Sequence, residues 1–573
     1  MSDFEYGRRR IGRRSLIRGA AVSGLGLAGA ALIGCGSSKP AAAPRDLGSS
    51  SSSSVGTATA TAVASNAKKG GRLQISAVST APNLDPVLSI STHTHNRISL
   101  VYQNLVEMDK GKGLYDAVIR PDLAEKWETS ADGLTWTFKI RPGSKWANVA
   151  PMNGRPVTAE DAAFSFERNL MPTAGNLSRF EYLDGPPKAI DANTLQFKLK
   201  YPHPGFFFTM AAEPSEITPK DAVTAKGDLK NSAVGSGPFI MTKYSEQEIA
   251  QYEKNPNYYN AANVHVDGVD WVVVPEKSTA IANFRSGKLD MLGGRLEAAL
   301  LPRDADDILK TVPKAKRTDG YEGNIAVMEM NFKSPLFQDV RVREAVSLAM
   351  DRQAHIKALG GGVGKETGTF PFPRFPEYAL ADEELAKIQP FNIAEAKKLM
   401  AAAGKEAGFT AKIMWRTDTG QPPLNLHLEM LKQIGITLDT KTEAVDYPAW
   451  VSKTYNGSFS DMAEWGYTVG SIWDYVVGLH HSKGNRNGPQ SKIAELDTMI
   501  DKVLRTVKPE DQMAMVKDIE RHALTKSRWI VPTIVAGGSV VQQPWLQGID
   551  PGFGAVRGVY MSSTLLRHAW LDK

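Results

Sequence analysis

The residue types that could do chemistry are gathered in a few short strings. Glu464-Trp465-Gly466-Tyr467-Thr468 is followed closely by Trp473-Asp474-Tyr475. Aromatic rings beside carboxylates suit non-covalent capture of a small solute, because rings supply contact area and a few polar groups supply orientation. His93-Thr94-His95 and His480-His481 raise the question of a metal. Two histidines at i, i+2 on a loop could share an ion, but no carboxylate or thiolate stands at a telling spacing, so no metal site is expected. Two other strings imitate catalytic motifs and fail. Gly360-Gly361-Gly362-Val363-Gly364-Lys365 has Leu359 where a phosphate loop needs its first glycine, and Glu366 where it needs Ser or Thr. Gly235-Ser236-Gly237 lacks the spacing of a nucleophile elbow. With no paired nucleophile and base and no His-Glu-x-x-His, neither catalysis nor a cofactor is expected.

The elements that must position these strings are legible in the periodicity. Arg72-Leu73-Gln74-Ile75-Ser76 and Thr135–Ile140 alternate as half-buried strands do, with Trp136, Phe138 and Ile140 on one face. Asp270–Val274 is a short apolar run, as in a strand buried on both faces, and Ile325–Asn331 is a further strand candidate. Val342, Ala345, Val346 and Ala349 follow helical spacing, as do Ala396, Leu399, Met400 and Ala403. Asn392 with Glu395 three residues on predicts the start of the latter helix, and Gly404 its end. Leu496, Met499, Ile500, Val503 and Leu504 form a third stripe. Strands alternating with helices predict α/β layers.

The chain has 573 residues, too many for one core, and an ordinary soluble composition with 42% hydrophobic and 23% charged residues. Its net charge of +6 is concentrated at the start, where Arg8, Arg9, Arg10, Arg13, Arg14 and Arg18 face only Asp3 and Glu5. The remainder is nearly balanced, so no nucleic-acid partner is expected. Arg13-Arg14-Ser15-Leu16-Ile17-Arg18 is a twin-arginine pattern, followed by a Gly/Ala-rich apolar run too short to span a bilayer. That run ends in Leu32-Ile33-Gly34-Cys35, which resembles a lipobox and contains the only cysteine. Residues 1–35 are therefore expected to be a Tat-type lipoprotein signal peptide with lipidation at Cys35. The protein would then be anchored at a membrane surface, in the periplasm or on the outer face of the cell membrane. Residues 36–70, rich in Ser, Ala and Thr with the run Ser49–Ser54, are expected to be a flexible tether.

A series of segments resembles the peptide/nickel-type (family 5) extracellular solute-binding proteins in the family's own order. The series begins with Thr80-Ala81-Pro82-Asn83-Leu84-Asp85-Pro86 and Val101-Tyr102-Gln103-Asn104-Leu105-Val106. Pro121-Asp122-Leu123-Ala124-Glu125-Lys126-Trp127-Glu128, Asp132–Gly143 and Pro156-Val157-Thr158-Ala159-Glu160-Asp161 follow. Later come Val234-Gly235-Ser236-Gly237-Pro238-Phe239, Asn255-Pro256-Asn257-Tyr258-Tyr259, Ser286-Gly287-Lys288-Leu289-Asp290 and Met330-Asn331-Phe332. Asp339-Val340-Arg341-Val342-Arg343-Glu344-Ala345 and Ala349-Met350-Asp351-Arg352 close the series.

The resemblance implies a two-lobed periplasmic-binding-protein-like α/β fold (type II) with an extra subdomain in lobe I. Lobe I would take 71–327 and return at 531–573, lobe II would take 328–530, and the second string above would be the helix after the first. It further implies a monomeric binding protein without catalysis, an ABC transporter permease as partner, and closure of the lobes over a solute. Trp465, Tyr467, Trp473, Asp474, Asn331 and Asn83 become the candidate ligand-binding residues, although an asparagine at a strand end can equally satisfy backbone groups. Peptide binders of the family carry an aspartate three residues after the tryptophan aligned with Trp465, and this chain has Thr468. The solute is thus left open between a peptide, a sugar or oligosaccharide, and a metal chelate.

Overall fold

The computed structural model describes residues 66–573 except 78–80, 82, 90, 111–116, 213, 246–247, 294–299, 372–374, 418–420, 468–471, 507 and 551–565. The expected signal peptide, Cys35 and nearly all of the tether lie outside the described residues.

Two long strands organise the described chain. Lys316–Met330 and Ile530–Gln542 pair antiparallel from Lys316 opposite Gln542 to Glu329 opposite Ile530. They are the centre of an eight-stranded sheet in which six strands run in the order Met291–Gly293, Ile530–Gln542, Lys316–Met330, Met462–Tyr467, Phe409–Arg416, Ile436–Asp439, while Gly364–Glu366 pairs with Ile530–Gln542 and Ala444–Val445 with Phe409–Arg416. The sheet is apolar on both faces over its second half. Ile325, Val327, Met414, Ala463 and Ile530 enter one core with Trp473, Tyr475, Ile500 and Ile519. Their strand neighbours Met328, Ile413, Met462 and Val531 enter another with Val346, Met400 and Ile436. Alternation with a period of two sends successive side chains to opposite faces, and helices cover each.

The first lobe has its own large core, to which Val540, Leu546 and Leu571 return from the end of the chain. It holds a sheet ordered Arg72–Ala77, Gly268–Val273, Ile249–Lys254, Phe239–Ser245. A separate four-stranded sheet is ordered Ala124–Thr129, Thr135–Ile140, Thr194–Lys198, Lys188–Asp191. The long strands therefore run from one core into the other. Their register is irregular between Tyr321 and Ile325 and again before Val327, where the ladder passes between the lobes.

The family-like strings act mainly as structural pins. Asp85 is fully buried and receives Arg168 Nη2 at 2.7 Å and the Leu229 amide at 3.0 Å. Thr158 and Asp161 form a capping box on the helix Ala159–Asn169, and Arg155 grips the same carboxylate at 2.7 and 2.8 Å. The glycine string at 235–237 serves close approach. A β-carbon on Gly235 would lie 2.1 Å from the Val101 carbonyl oxygen, and one on Gly237 2.6 Å from it.

Two expectations are corrected. Residues 101–106 are not a helix; they are an irregular segment leading into the strand Val106–Lys110. The helix there is Thr92–Ile98, and the chain after it is held open by the Gly237 amide on Val101 O and the Phe239 amide on Leu100 O. His93 and His95 consequently sit on a helix rather than a loop, with Ser91 as its cap. His95 is fully buried, with Nδ1 2.8 Å from Glu216 Oε1 and Nε2 3.1 Å from Ser89 O. The other predicted helices stand as read: Asn392 accepts the Glu395 amide at 3.0 Å, and Gly404 ends that helix at φ +67°.

Candidate functional site

A cavity of about 670 Å³ opens between the segment Arg179–Thr209 of the first lobe and the segment Trp473–Arg505 of the second. Its size is that of a small-solute site. From the first lobe come Arg179, on a 3₁₀ turn at Leu177–Phe180, with Tyr182, Tyr201 and His203. From the second come Trp473 and Asp474, in the first turn of the helix Ile472–His480, and Arg505 just past the helix Ala494–Leu504. That helix is set by its apolar face, since Ile472, Tyr475, Val476 and Leu479 all enter the core below it.

The two sides meet directly. Arg179 Nη2 donates to Asp474 Oδ2 at 2.9 Å, and both side chains are almost wholly buried. The Arg505 guanidinium lies over the Tyr201 ring at 5.4 Å. Tyr201 packs on the cores of both lobes. His203 stacks on Tyr182 with ring centroids 4.0 Å apart. Burial pushes its pKa down to about 3, with the Asp474 charge pulling weakly the other way, so the imidazole is neutral under ordinary conditions. Its Nδ1 is buried with no protein partner among the described residues. Trp473 is supported from behind by Tyr378, edge-on at 6.0 Å. The cavity thus offers aromatic walls, a neutralised ion pair and a rim carrying Lys200, Lys483, Glu181 and Asp501.

Of the sequence candidates, Trp473 and Asp474 are brought to this cavity. Tyr467 is not; it is buried in the core with its hydroxyl on Glu329 and on the Arg486 carbonyl, the latter at 2.9 Å. Asn331 donates to Phe459 O at 2.5 Å and Gly457 O at 3.3 Å, tying a strand end to a turn. Asn83 caps its own turn by accepting the Asp85 amide at 2.9 Å. Trp465 lies in the strand Met462–Tyr467, opposite Val327, and its side chain, like Thr468, is outside the described residues. His481 lines the cavity, 3.7 Å from Asp501, while His480 is buried beside Phe370. Among the described residues no group of three His, Cys, Asp or Glu is placed to hold a metal ion.

Sequence reasoning missed Arg179, Tyr201, His203 and Arg505. No spacing or motif around Asn176-Leu177-Ser178-Arg179-Phe180-Glu181 marked the first of them, since Glu181 offers Arg179 a local partner.

Two lobes joined by crossing strands, with a cavity between them, define the cleft-type solute-binding fold. The chain belongs to the bacterial extracellular solute-binding proteins, family 5, whose middle-region model matches residues 118–487. It is 26% identical over 499 residues to heme-binding protein A of Haemophilus influenzae, covering 82% of this chain and 88% of that protein. It is 25% identical to the periplasmic oligopeptide-binding protein OppA of Escherichia coli, covering 85% and 92%. In structure it is similar to Helicobacter pylori DppA in complex with the peptide STSA, with TM-score 0.76, 20% identity and coverage of 88% and 99%. It is equally similar to the Agrobacterium tumefaciens protein AgaA in complex with agropinic acid, with TM-score 0.76, 21% identity and the same coverage.

Proposed function

We propose that this chain is the extracytoplasmic receptor of an ABC importer, taking a peptide or similar small polar solute between its lobes and delivering it to the permease. The observation that carries the reading is the cavity of about 670 Å³ whose walls come from both lobes, so that enclosure of a solute and approach of the lobes are one event. The relatives that bind oligopeptides support the peptide class. In this reading lobe I takes 71–327 and 531–573, and lobe II takes 328–530. Residues 1–35 direct Tat export, Cys35 carries the lipid, and 36–70 is the tether.

One observation favours a second reading, a sugar or sugar-like solute. Asp474 is already engaged by Arg179, so it is not a spare carboxylate for a peptide's α-ammonium, and an unpaired buried ammonium is costly. Tyr182, Tyr201 and Trp473 supply the ring faces a sugar needs. A thermal-shift screen of the purified chain against di- to pentapeptides, oligosaccharides and nickel–histidine separates these readings. Stabilisation by peptides sustains the first, by oligosaccharides alone the second. No stabilisation by any of the three classes would sink both.

A further inference from the structure

Among the described residues, the subdomain that carries Arg179–Thr209 meets the second lobe through an ion pair, through the Tyr201 ring, which packs on the core of each lobe, and through a close approach of glycine to indole. The Arg179–Asp474 pair closes at 2.9 Å, with side chains 4% and 12% exposed. Arg505 of the second lobe lies over Tyr201 of the first. Between them Gly205 meets Trp473. A β-carbon at position 205 would stand 2.9 Å from Trp473 Cδ1 and 3.1 Å from Trp473 Cβ. Gly205 has φ −81°, a conformation open to any residue, so the backbone does not require glycine there; the approach of the indole does.

We infer that Arg179 with Asp474, and Gly205 with Trp473, form a latch through which the inserted subdomain holds the two lobes closed, independently of the strands on which they hinge. The long strands Lys316–Met330 and Ile530–Gln542 connect the lobes but grip neither side of the cavity mouth. Their irregular register near Ile325 is a place where the ladder can bend. An ion pair is a suitable fastening for a reversible clamp. The attraction gained on closure is set against the desolvation of both charges, so the balance is small and reversible, and each charge returns to water on opening, whereas a broad apolar interface would stay shut. All four latch residues are at or beside the cavity, and Arg179, Trp473 and Asp474 line it. A solute that displaces or extends the pair therefore changes the closure equilibrium as well as making its own contacts. This inference rests on the two-lobed fold and not on which solute is carried.

The test is an interlobe distance in the full chain without added solute. Cys35 is the only cysteine, so a Cys35→Ser background takes a clean label pair. Ile190, 57% exposed on the inserted sheet, and Phe391, 50% exposed on the second lobe, are suitable positions for cysteine and spin labels. Pulsed electron resonance then reports the separation. Arg179→Asp and Asp474→Arg should each lengthen and broaden the distance distribution, and the double reversal should restore the short one. Unchanged distances in both single variants, or a double reversal as open as the singles, overturns the latch. If the single variants do not fold, Gly205→Val decides, since it leaves every charge in place. Lengthening supports the latch, and an unaltered distance overturns it. Because no solute enters the experiment, failure here leaves the receptor reading intact, and a failed solute screen leaves the latch standing.

Discussion

Arg179 and Asp474 stand 295 residues apart in the chain and 2.9 Å apart in the fold, joined across the boundary between the lobes. Removing one partner strands the other charge in a poorly solvated place. Arg179→Gln should therefore lower stability by at most about 3 kcal/mol, the lower end of what breaking a pair that stays buried costs, and by less to the extent that the lobes open and return Asp474 to water. Urea denaturation of the two proteins checks this, and an unchanged midpoint would show the pair to be solvated.

Trp473 lines the cavity, and its ring meets that of Tyr378 edge to face. Trp473→Ala should weaken binding of whichever solute scores in the thermal-shift screen by about 1–3 kcal/mol. Titration calorimetry on the folded variant measures it. Equal affinity would confine Trp473 to packing.

Glu329 lies fully buried on the crossing strand Lys316–Met330. Burial pushes its pKa up to about 8, against the opposing hydrogen bond from the Tyr467 hydroxyl. The folded chain therefore holds a proton that the unfolded chain releases above pH 4.5. Stability from this group is full below that value and falls as pH rises through about 8. Glu329→Gln should remove that slope. Relative to wild type it should gain about 4 kcal/mol between pH 5 and pH 9. Denaturant midpoints of both proteins at the two pH values give the difference, in which other buried acids such as Glu520 and Asp122 cancel.

Glu520 is a buried carboxylate that accepts the Phe370 amide on Oε1 and the Leu380 amide on Oε2, both at 2.9 Å. It thereby pins the loop that carries Tyr378 behind Trp473. Burial pushes its pKa up to about 7, so above that pH, where the two hydrogen bonds are charge-assisted, Glu520→Ala should cost about 3 kcal/mol. It should also speed amide exchange at Phe370 and Leu380 more than in the helix Pro509–His522 on which it sits. Exchange read by mass spectrometry distinguishes local release of the loop from general loosening.

Cys35→Ser should move the protein from the membrane fraction to the soluble fraction, because it removes the acyl attachment on which the proposed anchoring depends. Fractionation of cells expressing each form checks it. Continued membrane retention of the variant would count against the lipobox.

How far the sequence reaches depends on the range of the interaction. The strand Thr135–Ile140 and the helix Ile393–Ala402 are written in period and cap, because each is decided by neighbours within a turn or two. The segment 101–106 resisted the same reading. Its conformation is decided by Gly237 and Phe239, whose amides donate to the carbonyls of Val101 and of Leu100 just before it from more than a hundred residues away. Tyr467, Asn331 and Asn83 looked like site residues by type, and type does not say whether a polar atom faces a solute or a neighbouring backbone.

The sequence by itself determined the family, the α/β layering, the capped helices and the apolar stripes that build each core. These follow from local sterics, capping hydrogen bonds and the burial of periodic faces. Only the tertiary structure decided that Asp474 belongs to Arg179, that Gly205 yields its space to Trp473, and that Tyr201 touches both cores. Those pairings join remote segments whose meeting depends on how two crossing strands set one lobe against the other, and no local pattern records that relation.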